Sequence, residues 1–254
     1  MNRSIPAAAA ALSLLSSLAD AQLGSSIAPP EAPAGCSVAI AISNDTKAEV
    51  TLGQFCPFEV RTAGGKIVYD IDCPAFAPIP IPAGETFVTH WDGKDNFGVP
   101  VPAGSYVVTV ELPSGEDELH KLVIGGNEAG LGTLGVIRPG TTRQLQLCSP
   151  TDPGLPYVLL ASLSTSPGLG TCAGVLPLTP DALFLLSLDP ASPVFQNFQG
   201  SLDSSGSTSA PALALPNNPA LSGQSFFLAF LTLDLGQISC PVSTISSVLP
   251  VLIQ

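Results

Sequence analysis

The chain has 254 residues, of which 45% are hydrophobic and only 11% charged, with 24 Gly, 26 Pro and a single Trp. That length holds one large or two ordinary domains, and proline at such density breaks helices while suiting turns and strand edges, so the composition predicts an all-β protein. A formal charge of −12 repels phosphate backbones and anionic surfaces, which excludes nucleic acid as a partner.

Met1-Asn2-Arg3, an apolar run over residues 5–18 and the small residues Ala19-Asp20-Ala21 form a secretory signal peptide over 1–21, with a cut before Gln22. No later stretch reaches the ~18 apolar residues of a membrane span, so no transmembrane anchor is expected. Export into an oxidising compartment predicts that the six cysteines pair as disulfides. Residues 22–35 are rich in Pro, Ala and Ser, bring little to bury, and are read as a linker.

From Cys36 the chain alternates as half-buried strands do: Val38, Ile40 and Ile42, then Val50 and Leu52, Phe58 and Val60, Ile67 and Tyr69. Gly64-Gly65 is read as a hairpin turn pairing residues whose numbers sum to 129, which sets Cys56 against Cys73 and predicts a disulfide between them. A turn at 80–85, a strand over 86–91, a polar loop over 92–100 and a hairpin of strands 105–112 and 119–124 complete a module spanning 36–125. The acidic run Glu116-Asp117-Glu118 is read as a solvated turn.

The Gly-rich stretch 125–130 marks the border to a second module over 131–254. Composition shifts there: past Arg143 no Lys, Arg, His or Glu occurs. Strands are expected at 143–148, 157–163, 183–188, 210–215, 225–233 and 242–253, forming a second sandwich or jelly roll.

Little in the chain points to catalysis. The two histidines, His90 and His120, are the near-neutral bases available, and both are read as structural or surface residues. No GxSxG, HExxH, P-loop or GxGxxG run is present, and no cofactor or metal is expected. Asp92-Gly93-Lys94-Asp95-Asn96-Phe97-Gly98 offers carboxylates within one loop, yet Lys94 and Phe97 stand where an EF-hand requires a ligand and a glycine, so the loop reads as a turn held by side-chain to backbone bonds. The sequon Asn44-Asp45-Thr46 is set aside.

Trp91-Asp92-Gly93-Lys94-Asp95-Asn96-Phe97-Gly98-Val99-Pro100, continuing through Gly104 to Tyr106, resembles the closing segment of the Ig-like (FlgD-like) domain of the flagellar hook-capping protein, and equally that of the BsuPI family, named for an intracellular proteinase inhibitor of bacilli. Leu52-Gly53-Gln54, Phe58-Glu59-Val60, Val68-Tyr69 and Ile81-Pro82-Ala83-Gly84-Glu85 agree with the BsuPI pattern, so the resemblance covers about residues 37–124. It implies an Ig-like β-sandwich with Trp91 and Tyr106 in its core and Asp92, Gly93, Asp95, Gly98 and Gly104 shaping its turns. It implies fold more than activity, because such modules recur as spacers and adhesion units. The second half, with Gln224-Ser225-Phe226-Phe227 and Ile238-Ser239-Cys240-Pro241-Val242, resembles a C-terminal β-domain of exported bacterial proteins to which no activity is attached. Cys172 and Cys240 both fall in loop-like contexts of this half and are the favoured pair, leaving Cys36 to Cys148.

The expectation is therefore an all-β chain of two tandem β-sandwiches, acting as a non-catalytic exported binding or structural protein of the bacterial envelope or extracellular space, toward a protein or cell-surface partner. The alternative is a secreted proteinase inhibitor acting through a loop of the first module.

Overall fold

The computed structural model describes residues 23–53, 57–70 and 78–254. The first half contributes β1 (Leu23–Ala28), β2 (Glu31–Ala32), β3 (Val38–Asn44), β4 (Val50–Leu52), β5 (Phe58–Thr62), β6 (Ile67–Tyr69), β7 (Ile79–Ile81), β8 (Thr86–Trp91), β9 (Gly104–Glu111) and β10 (Asp117–Ile124). One sheet runs β1-β3-β8 and the facing sheet β2-β10-β9-β5-β6, the order of an Ig-type sandwich. The core lies between them, where Val38, Ile40 and Ile42 of β3 meet Val60, Val108, Val110 and Leu122.

Within 22–35, expected to be a linker, the described residues 23–35 belong instead to this fold. Leu23–Ala28 pairs antiparallel with β3. Pro29 and Pro30 then interrupt the ladder, having no N–H to give, and the chain resumes as β2, parallel to β10 on the opposite sheet. Low hydrophobicity misleads here because Gly24, Ser25 and Ala28 are buried for their small size, not their apolarity.

β3 is also buried along its whole length rather than half-buried. Its large residues face the sandwich core; its small ones, Ala39 and Ala41, face outward and pack with Ala28 and Leu134 of the second half. The alternation is therefore large against small, as a sheet covered on both faces requires.

The Gly64-Gly65 turn differs in detail from expectation. Thr62 N–H donates to Lys66 O (2.8 Å) and Gly65 N–H to Thr62 O (2.9 Å), enclosing three residues, and Gly65 has φ +83°. A bulge then shifts the pairing from Arg61↔Ile67 to Val60↔Tyr69, whose numbers sum to 129, so beyond the bulge the register is the expected one. The Cys56–Cys73 pairing falls outside the described residues.

The second half comprises β11 (Gly130–Thr133), β12 (Thr142–Cys148), β13 (Pro156–Ser162), β14 (Leu169–Thr171), β15 (Gly174–Leu176), α1 (Ala182–Ser187), β16 (Phe195–Gln196), β17 (Gln199–Ser201), β18 (Ser207–Thr208), β19 (Ala212–Ala214), β20 (Ser225–Leu233), β21 (Val242–Ile245) and β22 (Leu249–Leu252). Two sheets, β11-β12-β19-β16 and β17-β13-β20-β21, close on a core of Leu145, Leu147, Leu159, Phe195, Leu228 and Phe230. Where a strand was expected over 183–188, the chain instead forms α1, with Leu188 as its C-cap. Asp181 caps it, accepting the Phe184 N–H at 2.9 Å, and Phe184 buries against Leu160, Leu176 and Leu178 on the outer face of the second sheet. The strand expected over 242–253 is divided, β21 and β22 each pairing with β20.

The two halves meet along a seam. Cys36 at the entry to β3 is bonded to Cys148 at the end of β12, 112 residues away. Asp45 receives Arg138 and Arg143 of the second half, each at 2.5 Å, and the Asp45 and Arg143 side chains are almost fully enclosed. Backbones touch at Gly132, where an added Cβ would stand 2.7 Å from Ala28 Cα. Ser26 Oγ accepts the Gly135 N–H at 2.7 Å.

Candidate functional site

The residues from Trp91 to Tyr106 that carry the resemblance assemble one structural corner. Trp91 is buried and donates its indole N–H to Lys94 O at 2.7 Å, with the Tyr106 ring edge-on at 6.3 Å. Tyr106, at the start of β9, donates its hydroxyl to Pro102 O at 2.6 Å, the tyrosine corner of Ig-type sandwiches. Asp95 Oδ1 accepts the N–H groups of Phe97 and Val99, both at 2.9 Å. Asp92 accepts from Lys94 N–H (3.1 Å) and Nζ (2.7 Å), and this side-chain bond holds its carboxyl below the usual range. Gly93 and Gly98 carry φ of +75° and +76°, and Gly104 opens β9. These carboxylates thus serve the turn itself. Among the described residues no three His, Cys, Asp or Glu side chains gather as metal ligands do. Phe97, at the crest, is 90% exposed.

Cys36–Cys148 and Cys172–Cys240 are disulfides; the second ties the β14–β15 turn to the loop before β21. Asn44 of the sequon is buried, its amide donating to Ala48 O and Ile81 O at 2.8 Å each. His90 lies exposed on β8 opposite Ala39.

His120 has different company. Its Nε2 lies 2.6 Å from Ser25 Oγ, and Glu118 Oε2 accepts both Ser25 Oγ–H (2.6 Å) and Ser25 N–H (2.7 Å). The hydroxyl has one proton and gives it to the carboxylate, so the imidazole donates from Nε2 to Oγ. In the neutral ring Nδ1 then keeps its lone pair, and it has no other hydrogen-bond partner among the described residues. Burial pushes the His120 pKa down, more than the nearby Glu118 raises it, which favours the neutral ring.

This cluster borders a cleft of about 320 Å³ at the seam, lined by Ser25, Ile27 and His120 of the first half and Ile137, Val251 and Leu252 of the second. Glu118 is therefore turned inward rather than solvated with its acidic neighbours. A signal for it existed: a two-residue period puts Glu118 and His120 on the same face of β10 as the buried Leu122 and Ile124. Ser25 had no such signal, because its strand read as linker.

Among the described residues no helix is long and apolar enough to cross a membrane. No family model matches the chain, and no curated protein matches it. Among solved structures it is similar to red sea bream transglutaminase, with 11% identity and TM-score 0.29, covering 92% of this chain and 31% of that one. It is also similar to the native conformation of E. coli alpha-2-macroglobulin, with 11% identity and TM-score 0.25, covering 92% of this chain and 14% of that one. Likeness of this degree assigns no activity.

Proposed function

We propose that the chain is a non-catalytic exported binding or structural protein of the bacterial envelope or extracellular space. The observation that carries this reading is the direction of the hydrogen bonds at Ser25. A serine nucleophile must hand its proton to an imidazole that accepts it; here the proton goes to Glu118, and His120 donates. The Ser25 N–H is likewise taken by Glu118 and is not free to stabilise an oxyanion. A fluorophosphonate probe incubated with the oxidised chain from Gln22 to Gln254 tests this. The expected result is an unlabelled Ser25 beside a fully labelled control hydrolase; stoichiometric labelling would overturn the reading.

One observation favours a second reading, a secreted proteinase inhibitor of the kind the BsuPI resemblance suggests. Phe97 stands 90% exposed on a backbone pinned from both sides by Asp95, an apolar anchor presented without freedom to retreat. Titration against subtilisin-like, trypsin-like and papain-like proteinases decides it. Tight stoichiometric inhibition of the subtilisin-like enzyme, lost in Phe97→Ala, supports an inhibitor; no inhibition at high excess, with the protein intact, removes this reading.

A further inference from the structure

The cleft at the seam has two marks of a small-ligand site: it lies at a junction between two modules, and apolar side chains stand in it beside convergent polar groups. Its apolar side is Ile27, Ile137, Val251 and Leu252; Lys121, Thr133 and Gln254 also line it, and Ser25 with His120 forms one polar corner. Ser25, Glu118 and His120 are already linked to one another in that corner. Glu118 takes the Ser25 proton, and Ser25 takes the His120 Nε2–H, so the ring is held in one tautomer. The remaining polar atom of the ring is Nδ1, an acceptor in the neutral form. Charge argues for an uncharged occupant. The Glu118 carboxylate and the chain's −12 oppose an anion, while Lys121, also at the cleft, opposes a cation.

We propose that this cleft binds a small neutral molecule with an apolar body and one hydroxyl or N–H donor, which bonds to His120 Nδ1. The inference rests on the reading of the chain as a binding protein and adds the chemical class of its ligand. Ser25 and Glu118 are positioning residues in this arrangement. They fix which nitrogen faces a donor, and substituting Ser25→Ala frees the ring to present either tautomer.

The test uses the oxidised chain from Gln22 to Gln254 with 15N-labelled histidine, and three probes sharing one ring: cyclohexanol, methoxycyclohexane and cyclohexanecarboxylate. Without probe, long-range 1H–15N spectra at neutral pH are expected to show His120 protonated at Nε2 and bare at Nδ1. Cyclohexanol is expected to shift Nδ1 and the methyl signals of Ile27, Val251 and Leu252. Methoxycyclohexane, which has no donor, is expected to bind about tenfold or more weakly, the usual cost of leaving one buried polar group unpaired. The carboxylate is expected to leave the cleft signals unmoved. In His120→Phe the preference for the alcohol over the ether disappears while the chain stays folded. A ring protonated at Nδ1, equal binding of alcohol and ether, or alcohol binding that leaves the cleft signals unmoved would each overturn the proposal. If the probes fail while Ser25 stays unlabelled by the fluorophosphonate, the ligand class falls and the binding reading stands; a labelled Ser25 removes that reading itself.

Discussion

Two aspartates, Asp152 buried and Asp45 half-buried with its carboxylate turned into the seam, show how much of this protein rests on single carboxylates. Asp45 answers two guanidinium groups across the seam. Asp45→Ala would leave both cations with no counter-ion in an enclosed site, and removal of one partner from a buried pair costs about 3–5 kcal/mol. Urea unfolding of the two proteins measures it, and a loss well under 1 kcal/mol would mean that the seam relaxes to admit water. Asp152 has only hydroxyl partners: Ser149 at 2.9 Å, Thr232 at 2.6 Å and Ser243 at 2.7 Å. Burial pushes its pKa up, but the hydrogen bonds of the surrounding hydroxyls, Thr232 foremost, together outweigh this and hold it below the ordinary value. A depressed folded pKa means that the ionised group stabilises the fold above the unfolded pKa of about 3.9, and that this contribution is lost as pH falls through the folded value. The stability gap between wild type and Asp152→Asn should therefore narrow as pH drops from 7 to about 2.5. A gap independent of pH would show that the carboxylate charge is immaterial.

At the scale of elements, one hairpin turn recurs. Thr62–Lys66, Asp95–Val99, Leu112–Glu116 and Asp203–Ser207 each close with the first N–H donating to the fifth carbonyl and the fourth N–H to the first carbonyl. The fourth residue is always a glycine with positive φ: Gly65, Gly98, Gly115 and Gly206. Surroundings decide what each tolerates. At Gly98 an added Cβ meets nothing within 4 Å, whereas at Gly206 it would lie 2.2 Å from Ser149 O. Gly98→Ala should cost about 1–2 kcal/mol through the backbone alone, and Gly206→Ala about 1–3 kcal/mol more through displacement of Ser149. Thermal unfolding of both variants checks the order; equal losses would refute the role of Ser149. The turn also explains what could be read in advance. Asp95-Asn96-Phe97-Gly98 was legible as a turn, while Asp203-Ser204-Ser205-Gly206, which makes the same bonds, passed unnoticed among serines. Alternation found β3 and β5, whose large residues face a core. It failed for α1, where Leu and Phe suit either period and only the Asp181 cap marked a helix start, and for β1, where small residues are buried. The candidate site was half legible: the period of β10 carried Glu118 and His120, but Ser25 lay in the strand taken for a linker.

For the whole molecule, the border between halves is a contact surface and not a tether. A disulfide, an ion triad and glycine-permitted backbone contact hold the halves together, so calorimetry of the oxidised protein should record one cooperative transition. Replacing Cys36 and Cys148 together with Ser removes a cross-link spanning 112 residues, worth about 4–5 kcal/mol in the chain-entropy model. The halves should then unfold in two resolved steps. A single transition at nearly unchanged temperature would mean that the non-covalent seam suffices.

The Cys36–Cys148 bond also constrains how the protein is made. A chain entering an oxidising compartment from its N-terminus presents Cys36 first, then Cys56 and Cys73, long before Cys148 arrives. Oxidation in order of arrival would join Cys36 to the wrong sulfur, and thiolate attack on that mixed bond is then the route back. Production should accordingly depend on a disulfide isomerase. Without one, the yield of correctly bonded wild type should fall, while the yield of the double serine variant, which lacks the out-of-order pair, should hold.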